Sequence, residues 1–477
     1  MSLTGIIILL VYMVILIYIG YWFSHRQESI SDFFVAGRTI PSWAALSAIV
    51  ATETSAVTFI GAPAQLFAGR EDFSFLQIVI GYIIARFILA FFFLPRFFEH
   101  EIVTIYQYLG RRFGLPVQKV AGMFFFLTRA LAAGVRHFAA AVVIQAMTGL
   151  SVFSAIVLTG VISVIYAALG GISAVIWTEV IQFVVMLIGA VVAFFFLLYS
   201  IDGGMAEVLS VGAEQGRLVM MHWDWSGNGI WIGILGGFAL NLATHGADQD
   251  LVQRLLSCKG LRSAQAAIIA SGFVVFLQFG FLLFIGLMLF VYYGGLPEEV
   301  ERANEILPYF AVNDMSPALG ALLLAAILSA AMSSTASALN SLSSTSVNDF
   351  VMPRLKQELS PRKWVNISRG FTLFWMAVLI VIALISSTLR ENILDLALSI
   401  PSYAYGSLLA AFLLGIFTRL NDQRAIISGM LVGVLAVTVL ALQGVTWTWY
   451  VPVGAASSML MAYIINFVLP ESPSTSS

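Results

Sequence analysis

The sequence predicts an all-α integral membrane protein of about thirteen transmembrane helices, built as two inverted five-helix repeats whose first helices are broken. Three observations carry that prediction. Only 10% of the 477 residues are charged and 60% are hydrophobic, against roughly 25% charged in a soluble domain, too little charge for a water-facing surface. Apolar runs of about the 20 residues that a bilayer core requires recur from Leu3 to Leu469 with short polar interruptions. Two of those runs, five helices apart, are interrupted by glycine, proline and polar residues, the spacing that inverted repeats produce.

Residues 3–23 form the first span. They lack the basic start and small-residue cleavage site of a signal peptide, so this helix is expected to be retained outside the repeats. Repeat one, 42–200, holds spans near 42–68, 73–95, 120–148, 151–170 and 176–200. Repeat two, 230–417, holds 230–247, 263–293, 317–346, 365–388 and 393–417, and two peripheral helices, 425–442 and 446–469, complete a single transmembrane unit over 1–477. The longest stretch outside a span, 202–229, is too short for a soluble catalytic or nucleotide-binding domain. Function therefore belongs to the bundle itself, and an enzyme is not expected.

Basic residues report orientation. With the N-terminus outside and the C-terminus inside, inward loops carry fifteen of the 23 lysines and arginines and outward loops four. Net charge is −2 with the basic residues scattered, which gives no footprint for nucleic acid. The single Cys258 excludes an internal disulfide.

Charges within spans cost about 2.5–3.5 kcal/mol each at mid-helix and default to function or tight pairing. Glu53, Arg86, Arg129, Arg136 and Glu179 are the candidates. Glu53 lies in Ala51-Thr52-Glu53-Thr54-Ser55 upstream of Gly61 and Pro63, where hydroxyl residues and a missing backbone donor weaken the helical ladder and free carbonyl oxygens. The second interruption, around Asn241, Thr244, His245 and Asp248, is glycine-rich and polar. From Ser329 to Ser346, ten of eighteen residues are Ser or Thr, and positions 330, 334, 337 and 341 form one helical stripe. Small residues also make packing seams, but this many hydroxyls suit a hard monovalent cation. No His or Cys spacing fits a transition metal.

The chain resembles the sodium:solute symporter family in Ser31-Asp32-Phe33-Phe34-Val35-Ala36-Gly37-Arg38, in the stretch from Ala168 to Gln182 containing Trp177-Thr178-Glu179-Val180-Ile181-Gln182, in Asp250-Leu251-Val252-Gln253-Arg254, and in Ser341-Leu342-Ser343-Ser344. The resemblance implies alternating access around a central site, with Na+ as the coupling ion. Its principal sodium ligands would be the carbonyls of Ala51, Thr54, Ala330 and Ser333 and the side chain of Ser334. A second sodium, where members have one, would use Glu179 and Ser337 with Ser333. Here Ala336 offers only its backbone, so one sodium per solute is the expectation. Family logic puts the solute near Glu53, Ser55 and Thr58.

Arg86, Arg129, Arg136, Asn241 and His245 are added as substrate candidates, because three arginines inside spans against two glutamates leave positive charge for a sugar acid such as sialic acid. A neutral sugar, an amino acid or a monocarboxylate are the alternatives, as are a membrane sensor or channel on the same bundle. The expected setting is a prokaryotic inner (cytoplasmic) membrane, with the lipid bilayer as partner and the monomer as the working unit. A serine hydrolase is disfavoured because no G-x-S-x-G elbow accompanies the histidines.

Overall fold

The computed structural model describes residues 3–25, 27–69, 72–224, 229–355, 359–388 and 393–468. Arg26, Arg70, Lys356 and Arg390, used in the orientation count, lie outside them. We number the principal helices α1 (Leu3–Ser24), α2 (Ser42–Glu53), α3 (Ala56–Phe67), α4 (Phe75–Ile88), α5 (Leu115–Thr148), α6 (Val152–Ser200) and α7 (Ile230–Gly246). They continue as α8 (Gln249–Leu256), α9 (Leu261–Tyr293), α10 (Pro317–Thr345), α11 (Pro361–Ser386), α12 (Ile393–Phe417), α13 (Gln423–Leu442) and α14 (Tyr450–Val468).

Ten helices among the described residues are long and apolar enough to cross a bilayer, and two further pairs, α2 with α3 and α7 with α8, are each bent by 61°. One of the ten is α6, which at 49 residues would reach about 73 Å at the helical rise, far beyond one bilayer core. Gly171, at φ 58° and ψ −155°, breaks it in two. A side chain there would strike the Phe33 carbonyl, so glycine is required both for the turn and for the contact. The expected spans 151–170 and 176–200 are thus one element folded at Gly171. Counting it twice and each bent pair once gives thirteen.

Segments carrying basic residues meet at one end of the bundle, the basic end, where Arg38 donates to Ile102 O at 3.3 Å and Arg112 to Asn421 Oδ1 at 2.6 Å and Leu420 O at 3.0 Å. There the backbone joins the entry to α2 with the exit from α8: Ile40 N–H donates to Ser257 O at 3.0 Å and Lys259 N–H to Ile40 O at 3.1 Å. Nearer the other end, α4 and α7 approach at glycine-sized contacts. A Cβ on Gly237 would lie 2.1 Å from Ile78 O, and one on Gly81 would lie 2.3 Å from Ile234 O. The hydroxyl-rich α10 is buried on every side from Leu323 to Thr345 and packs along α6, so its polar stripe faces protein.

Candidate functional site

The first break arises because the α2 ladder stops at Glu53. Thr54 N–H still reaches Val50 O at 2.9 Å, but Ser55 N–H turns to Glu53 O at 3.0 Å and Thr58 N–H to Ser55 O at 2.9 Å. The Ala51 carbonyl is left without its helical donor and accepts instead from Ser333 Oγ at 3.0 Å. Ser333 Oγ also lies 3.1 Å from Ala330 O, and Ser334 Oγ 3.5 Å from the same carbonyl. Four of the five expected sodium ligands, Ala51, Ala330, Ser333 and Ser334, are thus in one contact of α2 with α10. The Thr54 carbonyl sits at the break, outside both helical ladders, while the Thr54 hydroxyl lies 2.8 Å from Val50 O and 2.9 Å from Gln278 Oε1.

Between the two breaks lies a cavity of about 300 Å³, lined by Glu53, Ser55, Thr58, Arg136, Asn241 and His245 among others. Gln65, Phe75, Ser402 and Trp447 also line it, so it runs away from the basic end. Ser55 and Thr58 hydroxyls are 3.4 Å apart, and Thr58 Oγ1 donates to Glu53 O at 3.3 Å.

The intramembrane arginines divide sharply. Arg86, expected against solute, is fully buried and absent from the cavity wall. Its guanidinium pairs with Glu53 and donates to Ser271 Oγ at 2.6 Å and Asn241 Oδ1 at 3.3 Å. It therefore joins α4, α7 and α9 to the first break, and His245 Nε2 completes the group 3.3 Å from Glu53 Oε1. Arg129 reaches the cavity but is held by Asp248 and by Asp250 Oδ2 at 3.0 Å. Arg136, two turns along α5, is half-buried, lines the cavity, and makes no hydrogen bond or ion pair among the described residues.

Glu179 and Ser337, expected at a second sodium, are committed to Arg254. Arg254 Nε donates to Glu179 Oε2 at 3.0 Å, and Nη2 reaches Glu179 Oε1 and Ser337 Oγ, each at 2.5 Å. Thr52 Oγ1 donates to Glu179 Oε1 at 3.0 Å, and Ser337 Oγ to Asp250. The orientation count treats Arg254 as a loop cation. It is fully buried, because the Asp248–Arg254 stretch is not a loop but the cap and body of α8. Asp248 and Asp250 are the carboxylates that sequence reasoning missed. The available signal was the i, i+4 spacing of Asp250 and Arg254, which puts both on one helical face. His137 is fully buried away from the cavity wall, its Nε2 2.9 Å from Ile156 O.

Comparison with known proteins agrees with this architecture. The model of the sodium:solute symporter family matches residues 33–433. The sodium/sialic acid symporter of Aliivibrio fischeri is 30% identical, over 96% of this chain and 92% of its own length. The human sodium/iodide cotransporter is 28% identical, over 85% of this chain and 64% of its own length. A substrate-bound, outward-open structure of a Na+-coupled sialic acid symporter superposes with a TM-score of 0.90 at 26% identity, covering 98% of both chains.

Proposed function

Since this chain belongs to the sodium:solute symporter family, we propose that it couples sodium entry to uptake of a small organic monoanion, a sugar acid such as sialic acid. It works as a monomer in a prokaryotic cytoplasmic membrane, with the N-terminus outside and the basic end toward the cytoplasm. The observation that carries the choice of an anion is Arg136, the cavity-lining arginine without a partner. Arg86 and Arg129 are already neutralised by carboxylates. A guanidinium in a low-dielectric cavity is strongly favoured by an incoming carboxylate, which it engages through two parallel hydrogen bonds. The relatives named for sialic acid and iodide both take anions, in keeping with that choice.

Sodium sits on the carbonyls of Ala51, Thr54, Ala330 and Ser333 with Ser334 Oγ, pinning the first break to α10. Glu53, Ser55 and Thr58 lie immediately beyond that break and line the solute cavity, so sodium fixes the wall against which solute binds. Separation of α2 from α10 on inward opening removes carbonyls from the ion and wall from the solute together. With Glu179 and Ser337 occupied by Arg254, one sodium accompanies one monoanion. No net charge then crosses, and the sodium gradient alone drives uptake.

The test is uptake of radiolabelled sialic acid and of a neutral hexose into proteoliposomes, with external sodium or potassium. Sialic acid uptake is expected in sodium only, unaffected by a potassium-diffusion potential. Arg136→Gln is expected to lower apparent affinity by about 100-fold, since truncating one partner of a buried charge pair costs about 2–5 kcal/mol, while sodium activation is retained. Equal uptake in potassium removes the coupling, and undiminished uptake by the Arg136 variant removes the anion site.

A further inference from the structure

Outside the cavity and both arginine groups, one buried carboxylate among the described residues has no cation. Asp349 lies in the π-helical turn Ser346–Val351 that ends α10 at the basic end, and its side chain is fully buried. Oδ1 accepts from Thr104 Oγ1 at 2.6 Å and from Gln118 Nε2 at 2.7 Å. Oδ2 has no hydrogen-bond partner, and among the described residues no arginine, lysine or histidine pairs with Asp349.

One helical turn back on the same face, the fully buried Thr345 hydroxyl is also without a partner, as is that of Ser344. Helical threonines here ordinarily donate to the carbonyl four residues back, as Thr128, Thr148 and Thr372 do. Thr345 does not, which leaves its oxygen free. At 100° per residue, positions 334, 341 and 345 fall within about 40° of one another. Thr345 and Asp349 therefore continue the stripe that begins at Ser334, about 22 Å farther along the helix axis at 1.5 Å per residue.

A carboxylate in a protein interior is costly without compensation. Two neutral donors on Oδ1 stabilise its charge but leave Oδ2 without a partner among the described residues, as the Thr345 hydroxyl one turn back is. A hard cation gathers oxygen ligands and would engage Oδ2 and the Thr345 hydroxyl together. Thr104 precedes the helix Ile105–Phe113, and Ile105 N–H donates to Gln249 Oε1 of α8 at 2.9 Å, a contact across the basic end.

Resting on the sodium-symport reading, we propose that Asp349 Oδ2 and Thr345 Oγ1 form a second monovalent-cation site, a station that sodium occupies after leaving the Ala51–Ser334 position and before entering the cytoplasm.

Equilibrium binding of radioactive sodium to the purified full-length protein tests this independently of transport. Ser334→Ala should weaken the tighter component and keep a weak one. Adding Thr345→Val, which deletes only a hydroxyl that bonds to nothing, should weaken that residual component about fivefold, the scale of one oxygen contact. Asp349→Asn should abolish it. In proteoliposomes Thr345→Val alone should leave half-activation by external sodium within about twofold and relieve inhibition by luminal sodium about fivefold, by the same single-contact estimate. No weak component in Ser334→Ala, or one indifferent to Thr345→Val, overturns the station. So does luminal inhibition that follows pH between 6 and 8 and ignores sodium, which would make Asp349 a proton site. Sodium binding with both components but no sodium-dependent uptake overturns the symport reading instead and leaves the site standing.

Discussion

The two broken spans bend by the same 61° yet expose different chemistry. At the first, between α2 and α3, the break frees backbone carbonyls and hydroxyls that meet α10, while its one charge, Glu53, turns away to Arg86. At the second, between α7 and α8, the break is populated by full charges. Asp248 caps α8 by accepting from Asp250 N–H at 2.9 Å, and it also takes Arg129 and, at 2.6 Å, the hydroxyl of Tyr405. Carbonyl dipoles hold a monovalent ion without a net charge of their own, so the ion exchanges as the carbonyls separate. Charged side chains in a dry interior hold one another far more tightly. One bend therefore suits the exchangeable ion we propose there, and the other fastens α8 to α5, α6, α10 and α12.

The most damaging way to break that contrast is to remove the cation from the second group. Arg254→Gln strips a counter-ion from both Glu179 and Asp250, and breaking a buried pair in this way costs about 3–5 kcal/mol. We expect a large fall in the melting temperature of the detergent-solubilised protein. Glu179→Gln added to it should recover part of the loss, because the two sites share one interaction. A single variant that melts like the parent would show that this group is not a fastening.

A smaller effect is expected at the first break. Ser334→Ala removes one oxygen ligand and should raise the sodium concentration for half-maximal uptake about tenfold, the equivalent of about 1.4 kcal/mol, with melting little changed. Thr54→Val is the sharper control. If the Thr54 carbonyl is the ligand, losing its hydroxyl costs only the hydrogen bonds to Val50 and Gln278, and sodium activation should stay within about twofold, as for an ordinary neutral hydrogen bond. A tenfold shift in Thr54→Val with none in Ser334→Ala would reverse the assignment of ligands.

The same contrast explains what the sequence made legible. Apolar runs and the Ser/Thr stripe are local signals, so the spans and both breaks follow from pattern alone, while the α2–α10 contact follows only from the family resemblance. The pairing of charges is not local. Glu53 meets Arg86 across 33 residues and Glu179 meets Arg254 across 75, and no periodicity reports which partner a charge finds. For that reason Arg86 reads as a solute ligand until it is seen fully buried against Glu53. Arg254 and Asp250 read as loop because α8 is short and polar, and only its burial against α10 shows those charges to be interior. Arg136 shows the reverse case, a candidate whose significance comes from having no partner when its neighbours have theirs.

At the far ends of the two broken spans one residue touches both, and it offers the mildest test. His222 Nε2 lies 2.6 Å from Asp72 Oδ2, just past α3, while His222 O accepts from Ile230 N–H, the start of α7, at 2.8 Å. Partial burial raises the Asp72 carboxyl, but hydrogen bonds from Ser74 and His222 outweigh it and hold the group below the usual aspartate range. A depressed carboxylate contributes stability that is present above the unfolded pKa, near 4, and is lost as pH falls through the lower folded value. His222 is 38% exposed, so the pair is worth about 1 kcal/mol or less. Asp72→Asn should therefore lower the melting temperature slightly at pH 7, and the difference from the parent should close only below about pH 4, where the unfolded carboxyl also takes up its proton. Convergence already at pH 6 would mean that Asp72 is not held low. His222 would then contribute little more than its backbone bond to the start of α7.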